Sequence, residues 1–304
     1  MSRVTIGIVS AGAMGSAVGA AYAGGGARAV TSVQGRSERT RALAAAAGLE
    51  LLAGLDEVVR VSDIVLSIVP PERARAVAGD IAAAARHADA DPLVADLNAV
   101  APATVRAMQA LYAGSGLELV DGSISGGPPR PDGSTRLFLS GARAAELEAL
   151  AAPGLDARVV GGTVGLASAV KMSTASVYKG TVGLLAHALL AAHANGVLPH
   201  VLDDLRASFP ELVDGSARSI ARATTKAGRY VGEMREIAAT QAEAGLPREL
   251  FDGFAALYAA LAETPLAQQS PESIGADLGL EELLEALNAG GAGRDVVEGS
   301  PRRS

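Results

Sequence analysis

One lysine has a sequence environment suited to proton transfer. Lys171 lies in the segment Gly165–Gly180, where small and apolar residues surround it at the start of a long helical pattern. Burial disfavours the ammonium form of a lysine relative to the neutral amine, which makes exchange of its proton easier. A lysine that extends its charged end into solvent is the ordinary alternative. The residue types therefore indicate a candidate proton donor and acceptor.

A turn rich in backbone amides precedes this lysine. Ser125, Gly126 and Gly127 follow an apolar run and are themselves followed by two prolines. Successive backbone amides, together with a hydroxyl group, can bind a carboxylate. A plain loop of glycine and proline is the alternative interpretation. The turn is a candidate site for the acidic group of a substrate.

The first glycine-rich turn has the position expected of a nucleotide-binding loop. The apolar run Val4–Val9 leads into it, and a helical pattern follows. Glycines let the backbone approach a pyrophosphate, and a helix N-terminus supplies amide donors. A serine stands at the usual first glycine, and an ordinary strand–helix turn is the alternative. The residues predicted to contact the cofactor here are Ser10, Gly12, Ala13, Met14 and Gly15.

The residues after the second apolar run predict which dinucleotide binds. A site for NAD would place Asp or Glu there to hold the ribose hydroxyls. This chain has Arg36 and Ser37 instead. An arginine fork and a hydroxyl can bind a 2′-phosphate, so we expect NADP, with NAD less favoured. The solvated start of a helix is the alternative role for these residues.

Two later strands end in residues that face the ligand crevice of a doubly wound sheet. Val69 and Pro70 follow one of them and are predicted to contact the cofactor. Asn98 follows the next strand, and its amide can bind either the nicotinamide or the substrate. A turn-forming asparagine before a helix is the alternative.

Alternating strands and helices must position these residues. Short, continuously apolar runs alternate with helical patterns up to about residue 163, which predicts a parallel sheet covered on both faces. Beyond that point only helical patterns occur, beginning with a long one from Leu166 to Asn195. We predict an α/β fold with an N-terminal Rossmann-type doubly wound sheet (residues 1–163). An all-helical substrate and dimerisation domain (164–290) and a disordered tail (291–304) follow.

Composition excludes several kinds of function. The chain has no Cys, which excludes disulfides, thiolate metal ligands and a cysteine nucleophile. No His, Asp or Glu cluster has metal-ligand spacing, so no metal is expected. The net charge of −7 argues against a nucleic-acid partner. The apolar stretch Val182–Ala194 is too short for a membrane span and no N-terminal signal is visible, so we expect a soluble cytoplasmic protein.

The same motifs resemble those of the β-hydroxyacid dehydrogenase superfamily, which includes 3-hydroxyisobutyrate and 6-phosphogluconate dehydrogenases. The resemblance extends to about residue 265. The similar segments are Gly12–Gly15, Asp121–Gly127, Gly165–Lys171 and Arg235–Pro247. It implies that Lys171 transfers the proton, that the turn Ser125–Gly127 holds the substrate carboxylate, and that the protein is a dimer.

The chain also departs from the pattern of that superfamily. Ala175 replaces the asparagine four residues after the lysine, and Thr174 replaces the histidine of the sugar-phosphate branch. These replacements argue against 6-phosphogluconate as the substrate. The segments Tyr178–Gly180 and Arg229–Ala239 resemble a subgroup with a phosphogluconate-dehydrogenase-like C-terminal domain of unassigned function. In that subgroup Lys179 is implied to share the substrate site.

These features together predict an NADP-dependent oxidoreductase that transfers hydride reversibly between nicotinamide and a hydroxy acid. Reduction of an imine or ketimine on the same fold is one alternative, and a non-catalytic NADP sensor is another. We expect a homodimer, because the long helix has an apolar surface of Ala and Leu suited to pairing.

Overall fold

A computed structural model describes residues 3–270, 274 and 278–289 of the chain. The chain divides into two units, Met1–Ser173 and Thr174–Ser304, and the division falls within its longest helix. The boundary expected at residue 163 stays a prediction. The predicted disordered tail at 291–304 lies outside the described residues.

The first unit is built on one eight-stranded sheet. Its strands are β1 (Thr5–Val9), β2 (Arg28–Thr31), β3 (Glu50–Leu51), β4 (Ile64–Ser67), β5 (Leu93–Asp96), β6 (Leu119–Ser125), β7 (Thr135–Ser140) and β8 (Leu155–Gly161). They lie in the order β3-β2-β1-β4-β5-β6-β7-β8. Strands β1 to β6 pair in parallel, β7 runs antiparallel to β6, and β8 runs parallel to β7.

Buried side chains lie on both faces of this sheet. In β1, Ile6 and Ile8 belong to one buried cluster and Val9 to another, while β4 divides in the same way between Leu66 and Val65. Central strands buried on both faces are apolar without alternation, which is why the sequence pattern predicts them. The helices of this unit are α1 (Ala13–Gly24), α2 (Glu38–Ala46), α3 (Leu55–Val61), α4 (Pro71–Ala88), α5 (Pro102–Ala113) and α6 (Ala144–Glu148). The predicted Rossmann-type fold is confirmed.

The strands at the two edges are not apparent from the sequence pattern. Strand β3 has two residues, and β8 carries the charged Asp156 and Arg158 on a largely exposed edge. Neither has the continuous apolar run of a central strand. The antiparallel β7 also departs from the expected parallel sheet, because a short turn connects it to β6 and no crossover helix intervenes.

The second unit is helical throughout its described residues, as predicted. Helix α7 (Leu166–Ala194) leads into it, and the others are α8 (Leu198–Ser208), α9 (Pro210–Asp214), α10 (Ser216–Thr224), α11 (Ala227–Glu243), α12 (Glu249–Ala262), a short 3-10 helix (Pro265–Gln268) and α13 (Leu280–Ala289). Helices α11 and α12 pack closely on each other. Met234, Ile237, Tyr258 and Leu261 are fully buried there.

Helix α7 has 29 residues and, by length and composition alone, is long and apolar enough to cross a membrane. One such helix is weak evidence, because core helices of soluble proteins meet the same criteria. The expectation that the chain has no membrane span stays a prediction.

Candidate functional site

The sheet brings most of the predicted site residues to one edge. Strands β1, β4, β5 and β6 are parallel neighbours, so their carboxyl ends lie at the same edge. Ser10 follows β1, Val69 and Pro70 follow β4, Asn98 follows β5, and the turn Ser125–Gly127 begins at the end of β6. In doubly wound sheets this edge forms the ligand crevice.

The glycine loop has the backbone geometry of a phosphate cradle. Ser10 has φ of 72°, a left-handed conformation that costs a non-glycine residue roughly 1 kcal/mol. A Cβ atom on Gly15 would lie 2.3 Å from the Ser10 carbonyl oxygen, so only glycine fits there. A Cβ on Gly12 would contact no protein atom within 4 Å. Packing within the protein therefore does not explain Gly12, whereas close approach of a ligand to the backbone does.

The start of α1 supplies donors to this cradle. Gly12 precedes the helix without a side-chain cap, and the first intrahelical bond runs from the Ser16 amide to the Gly12 carbonyl oxygen at 2.8 Å. The amides of Ala13, Met14 and Gly15 come before that bond, so they have no partner within the helix. The residues present therefore fit the pyrophosphate of a dinucleotide.

A solvent-open pocket lies beside the loop. Its polar lining comes from Ser10, Ser32, Gln34, Arg36 and Asp80. Arg36 is thus brought next to the glycine loop, where a cofactor ribose would lie. The Ser37 hydroxyl caps α2 by accepting a hydrogen bond from the Thr40 amide at 3.3 Å. That oxygen has a structural role in addition to any ligand contact.

The side chain of Asn98 is buried and committed to the protein. Its Oδ1 accepts a hydrogen bond from the Val69 amide at 2.6 Å, and its Nδ2 donates to Asp96 Oδ2 at 2.7 Å and to Ser67 Oγ at 3.2 Å. Both amide hydrogens are therefore in use. Its Oδ1 can still accept a second hydrogen bond, so the predicted contact of Asn98 with the nicotinamide or the substrate stays a prediction, and the observed contacts give Asn98 a positioning role.

Asp96 is completely buried beneath this network. Burial, reinforced by the charge of Asp121, raises the pKa of Asp96 to about 7, although hydrogen bonds from Asn98 and Ser67 oppose the rise. The two carboxyl groups are register partners on β5 and β6. Two acidic side chains therefore lie side by side under the ligand edge.

Asp121 holds the beginning of α7. Its Oδ2 accepts hydrogen bonds from the Gly165 amide at 2.9 Å, the Ser168 amide at 3.0 Å and the Ser140 hydroxyl at 3.0 Å. Its Oδ1 accepts from the Ser168 hydroxyl at 2.7 Å. A carboxylate at a helix N-terminus satisfies amides that lack intrahelical partners and matches the positive end of the helix dipole. Lys171, one turn further along, is positioned by this anchor.

Lys171 lies next to the predicted carboxylate turn. Its Nζ donates a hydrogen bond to the Ile124 carbonyl oxygen at 2.7 Å, and Ile124 directly precedes Ser125. Gly126 has φ of 126°, which requires glycine, and Gly127 is held by the Thr135 hydroxyl at 2.9 Å. The structure thus brings the predicted proton-transfer residue and the predicted carboxylate turn together.

Lys179 belongs to a cluster in the second unit. Its ammonium pairs with Glu233 on α11, which also accepts from Arg229 Nε at 3.0 Å. The same ammonium lies 4.9 Å from the centre of the Tyr230 ring, and the Tyr258 hydroxyl donates to the Lys179 carbonyl oxygen at 2.8 Å. These contacts join α7 to α11 and α12. Removing one partner of the buried ion pair would be strongly destabilising. The implied contribution of Lys179 to a substrate site stays a prediction.

Three positioning residues escape reasoning from the sequence alone. Asp121 and Ser168 bind each other across 47 residues, and Asp96 orients a side chain whose other partners follow or belong to a neighbouring strand. The available signal is an aspartate at the end of each of two apolar runs, where solvent exposure is not expected. That signal marks the two aspartates but does not identify their partners.

Replacing Asp121 tests the anchor directly. In Asp121→Ala, the amides of Gly165 and Ser168 lose a buried acceptor, and each unsatisfied group costs about 1–3 kcal/mol. We expect these amides to exchange hydrogen at least about tenfold faster, measured by NMR. In the control Asp156→Ala, on exposed β8, their exchange should not change. Unchanged exchange in Asp121→Ala would contradict the anchor.

Two family models match the chain. Residues 5–158 match the NAD binding domain of 6-phosphogluconate dehydrogenase. Residues 192–261 match a domain of unknown function, DUF1932. The first match covers the sheet with its glycine loop, and the second covers helices of the second unit.

Proteins of similar sequence or structure agree with these matches. A curated relative, an uncharacterized 28.5 kDa protein of Methanothermus fervidus, is 29% identical over 175 residues, which are 58% of this chain and 66% of the relative, just under two thirds. A conserved hypothetical protein of Sinorhizobium meliloti 1021 has a TM-score of 0.68 and 27% identity, over 95% of this chain and 97% of that one.

Two further structures connect the fold to dehydrogenases. A conserved protein of unknown function, described as structurally similar to 3-hydroxyacid dehydrogenases, is 28% identical with a TM-score of 0.62, over 84% of this chain and 99% of that one. The 3-hydroxyisobutyrate dehydrogenase of Mycobacterium tuberculosis has a TM-score of 0.66 at 19% identity, over 94% of this chain and 99% of that one, which shows a shared fold.

Proposed function

Because this chain belongs to the family of the NAD binding domain of 6-phosphogluconate dehydrogenase, we propose that it is an NADP-dependent dehydrogenase acting on a hydroxy acid. The family assignment makes the chain an NAD(P)-dependent oxidoreductase. The choice of NADP, the proton-transfer residue and the substrate class are the proposed parts. One observation carries the proton-transfer residue and the substrate class: Lys171 Nζ lies 2.7 Å from the Ile124 carbonyl oxygen, beside the turn Ser125–Gly127. The choice of NADP rests on Arg36, which lines the pocket beside the glycine loop.

The bound cofactor supplies the nicotinamide ring that accepts or donates hydride. Ser10, Gly12 and the first amides of α1 hold its pyrophosphate, and Arg36 binds its 2′-phosphate. On oxidation the neutral amine of Lys171 accepts the hydroxyl proton of the substrate, and on reduction its ammonium returns a proton to the carbonyl oxygen. The Ile124 carbonyl oxygen accepts a hydrogen bond from either form, so it fixes Nζ throughout the cycle.

The turn Ser125–Gly127 orients the substrate. Its hydroxyl and backbone amides bind the substrate carboxylate, which fixes the distance from that group to the carbon that faces the nicotinamide. A hydroxy acid fits because its carboxylate and its hydroxyl would reach the turn and Lys171 together. Imine reduction would need the same proton from Lys171, delivered to nitrogen, so the assays below separate the two reactions.

Lys171→Met tests the proton-transfer role. We expect its Kd for NADP to stay within about threefold of the wild type and its kcat to fall about 10²- to 10⁴-fold, the usual contribution of general acid–base catalysis. Turnover is measured with a panel of β-hydroxy acids and, separately, cyclic imines. The same substitution at Lys226, in the second unit, should leave kcat unchanged.

Three results would overturn parts of this proposal. Near-normal kcat in Lys171→Met would remove Lys171 from the chemistry. Turnover of cyclic imines but of no hydroxy acid would identify an imine reductase. Cofactor binding without turnover of any substrate would identify a sensor.

Arg36→Ala tests the preference for NADP. A hydrogen bond to a charged group contributes about 1.5–3 kcal/mol, so KM for NADP should rise about 10- to 100-fold while KM for NAD changes little. Arg39→Ala, an exposed arginine three residues further on, should leave both KM values within about twofold. A wild-type preference for NAD would exclude the proposed role of Arg36.

We also propose that the protein is a homodimer formed through α7. The helix exposes 64% of Val177 and 62% of Leu184, and the exposed Ala188 and Ala191 continue the same stripe at helical spacing. Leu184→Glu should convert a dimer to a monomer at micromolar concentration, measured by light scattering. The same change at exposed Leu111 of α5 should not. A monomeric wild type would contradict this proposal.

A further inference from the structure

The side-chain amide of Asn98 can accept a hydrogen bond from the Val69 amide in only one orientation. One end of an asparagine side chain accepts hydrogen bonds and the other donates them. Oδ1 must face the Val69 amide, which can only donate, and it does so at 2.6 Å. The opposite rotamer would place Nδ2 against that amide and leave a buried donor unsatisfied.

Asp96 selects that orientation. Its Oδ2 accepts from Asn98 Nδ2 at 2.7 Å, and its Oδ1 accepts from the Asn98 backbone amide at 3.1 Å. An ionised carboxylate only accepts, so it repels the oxygen end of the asparagine and binds the nitrogen end. The chain of contacts from Asp96 through Asn98 to Val69 is named the carboxylate–amide relay.

The relay acts on a segment of the ligand edge. The Ile68 amide donates to the Val9 carbonyl oxygen at 3.3 Å, so the segment Ile68–Pro70 is bonded to the end of β1 on one side. The relay bonds it to the end of β5 on the other. Pro70 is the N-cap of α4. The segment therefore lies between the end of β1, where the glycine loop begins, and the end of β5, which Asn98 follows.

Burial of Asp96 is costly, and its partners are neutral donors. An ionised carboxylate that leaves water without a cationic partner loses its favourable hydration free energy. Hydrogen bonds from neutral donors offset only part of that loss. The raised pKa of Asp96, caused mainly by burial, has the same origin. An apolar residue at this position would avoid that cost but could not orient Asn98.

We propose that Asp96 is a positioning residue that fixes the segment Ile68–Pro70 for cofactor binding by orienting Asn98. The inference rests on the proposed function, because it assumes that a dinucleotide binds at this edge. Asp96 itself does not contact the cofactor. It acts through Asn98 and the Val69 amide.

Exchange of the two side chains provides a specific test. In Asp96→Asn, the new NH2 group must face either Nδ2 or the backbone amide of Asn98, both of which are donors, and Asn98→Asp places a second carboxylate beside the first. The double variant Asp96→Asn/Asn98→Asp again pairs a donor with an acceptor, with the roles reversed. The side-chain amide at position 96 donates to the carboxylate at position 98. That carboxylate then accepts from the Val69 amide. Ser67→Ala, which removes the 3.2 Å contact to Asn98 and the hydrogen bond to Asp96 but leaves the contacts from Asp96 through Asn98 to Val69, is the matched control.

Two readouts are taken on the full chain at pH 8. The Kd for NADPH, from cofactor fluorescence, should rise at least about tenfold in each single variant and return to within about threefold of the wild type in the double variant. Hydrogen exchange of the Val69 amide, measured without cofactor, should be faster in each single variant and close to the wild-type rate in the double variant. Ser67→Ala should change both by less than about threefold. Circular dichroism checks that each variant is folded.

Either of two results would overturn the relay. The first is a wild-type Kd and wild-type Val69 exchange in both single variants. The second is a double variant that binds as weakly as the single variants, because Asp96 would then matter only for local packing. Tight NADPH binding without turnover of any substrate would contradict the proposed dehydrogenase activity but not the relay, which is read from binding and exchange.

Discussion

The buried hydrogen bonds between Asp121 and the start of α7 are the constraint on which the candidate site depends. They join a strand of the sheet to the helix that carries Lys171, over a separation of 44 to 47 residues. Lys171 reaches Ile124, three residues further along the same strand, only because the first turn of α7 is fixed. The carboxylate also binds amides that a helix start would otherwise leave unsatisfied. One buried charge therefore stabilises the helix and sets the position of the proposed proton-transfer residue.

The two buried aspartates are neighbours with different environments. Asp96 and Asp121 are register partners on adjacent strands, so their charges repel. Asp121 faces the positive end of a 29-residue helix and accepts four hydrogen bonds. Asp96 has neutral donors, and burial raises its pKa to about 7. The difference explains why one carboxylate can hold a helix while the other orients a side-chain amide.

The sequence predicts much of the first unit because its central strands are buried on both faces. Apolar runs without alternation mark β1, β4 and β5, and glycine spacing marks the loop after β1. Strands β3 and β8 lie at the edges, where exposure removes that signal. Asn98 shows the limit for site residues: its position after a strand is predictable, but two of its three side-chain partners are not, because the sheet brings Val69 and Ser67 to it. Lys179 shows the same limit, since Glu233 is 54 residues away.

By itself, the sequence determined the order of the central strands and their alternation with helices, the glycine loop, the basic residue after β2 and the apolar setting of Lys171. These features depend on local spacing and on residue type. Only the tertiary structure decided that Asp121 anchors α7, that Lys171 contacts Ile124, and that Asn98 is committed to Asp96 and Val69. Except for the contact between Asp96 and Asn98, which are two residues apart, each of those contacts joins distant parts of the chain. Their geometry comes from strand order and register, which pairing between backbones sets and which no local pattern encodes.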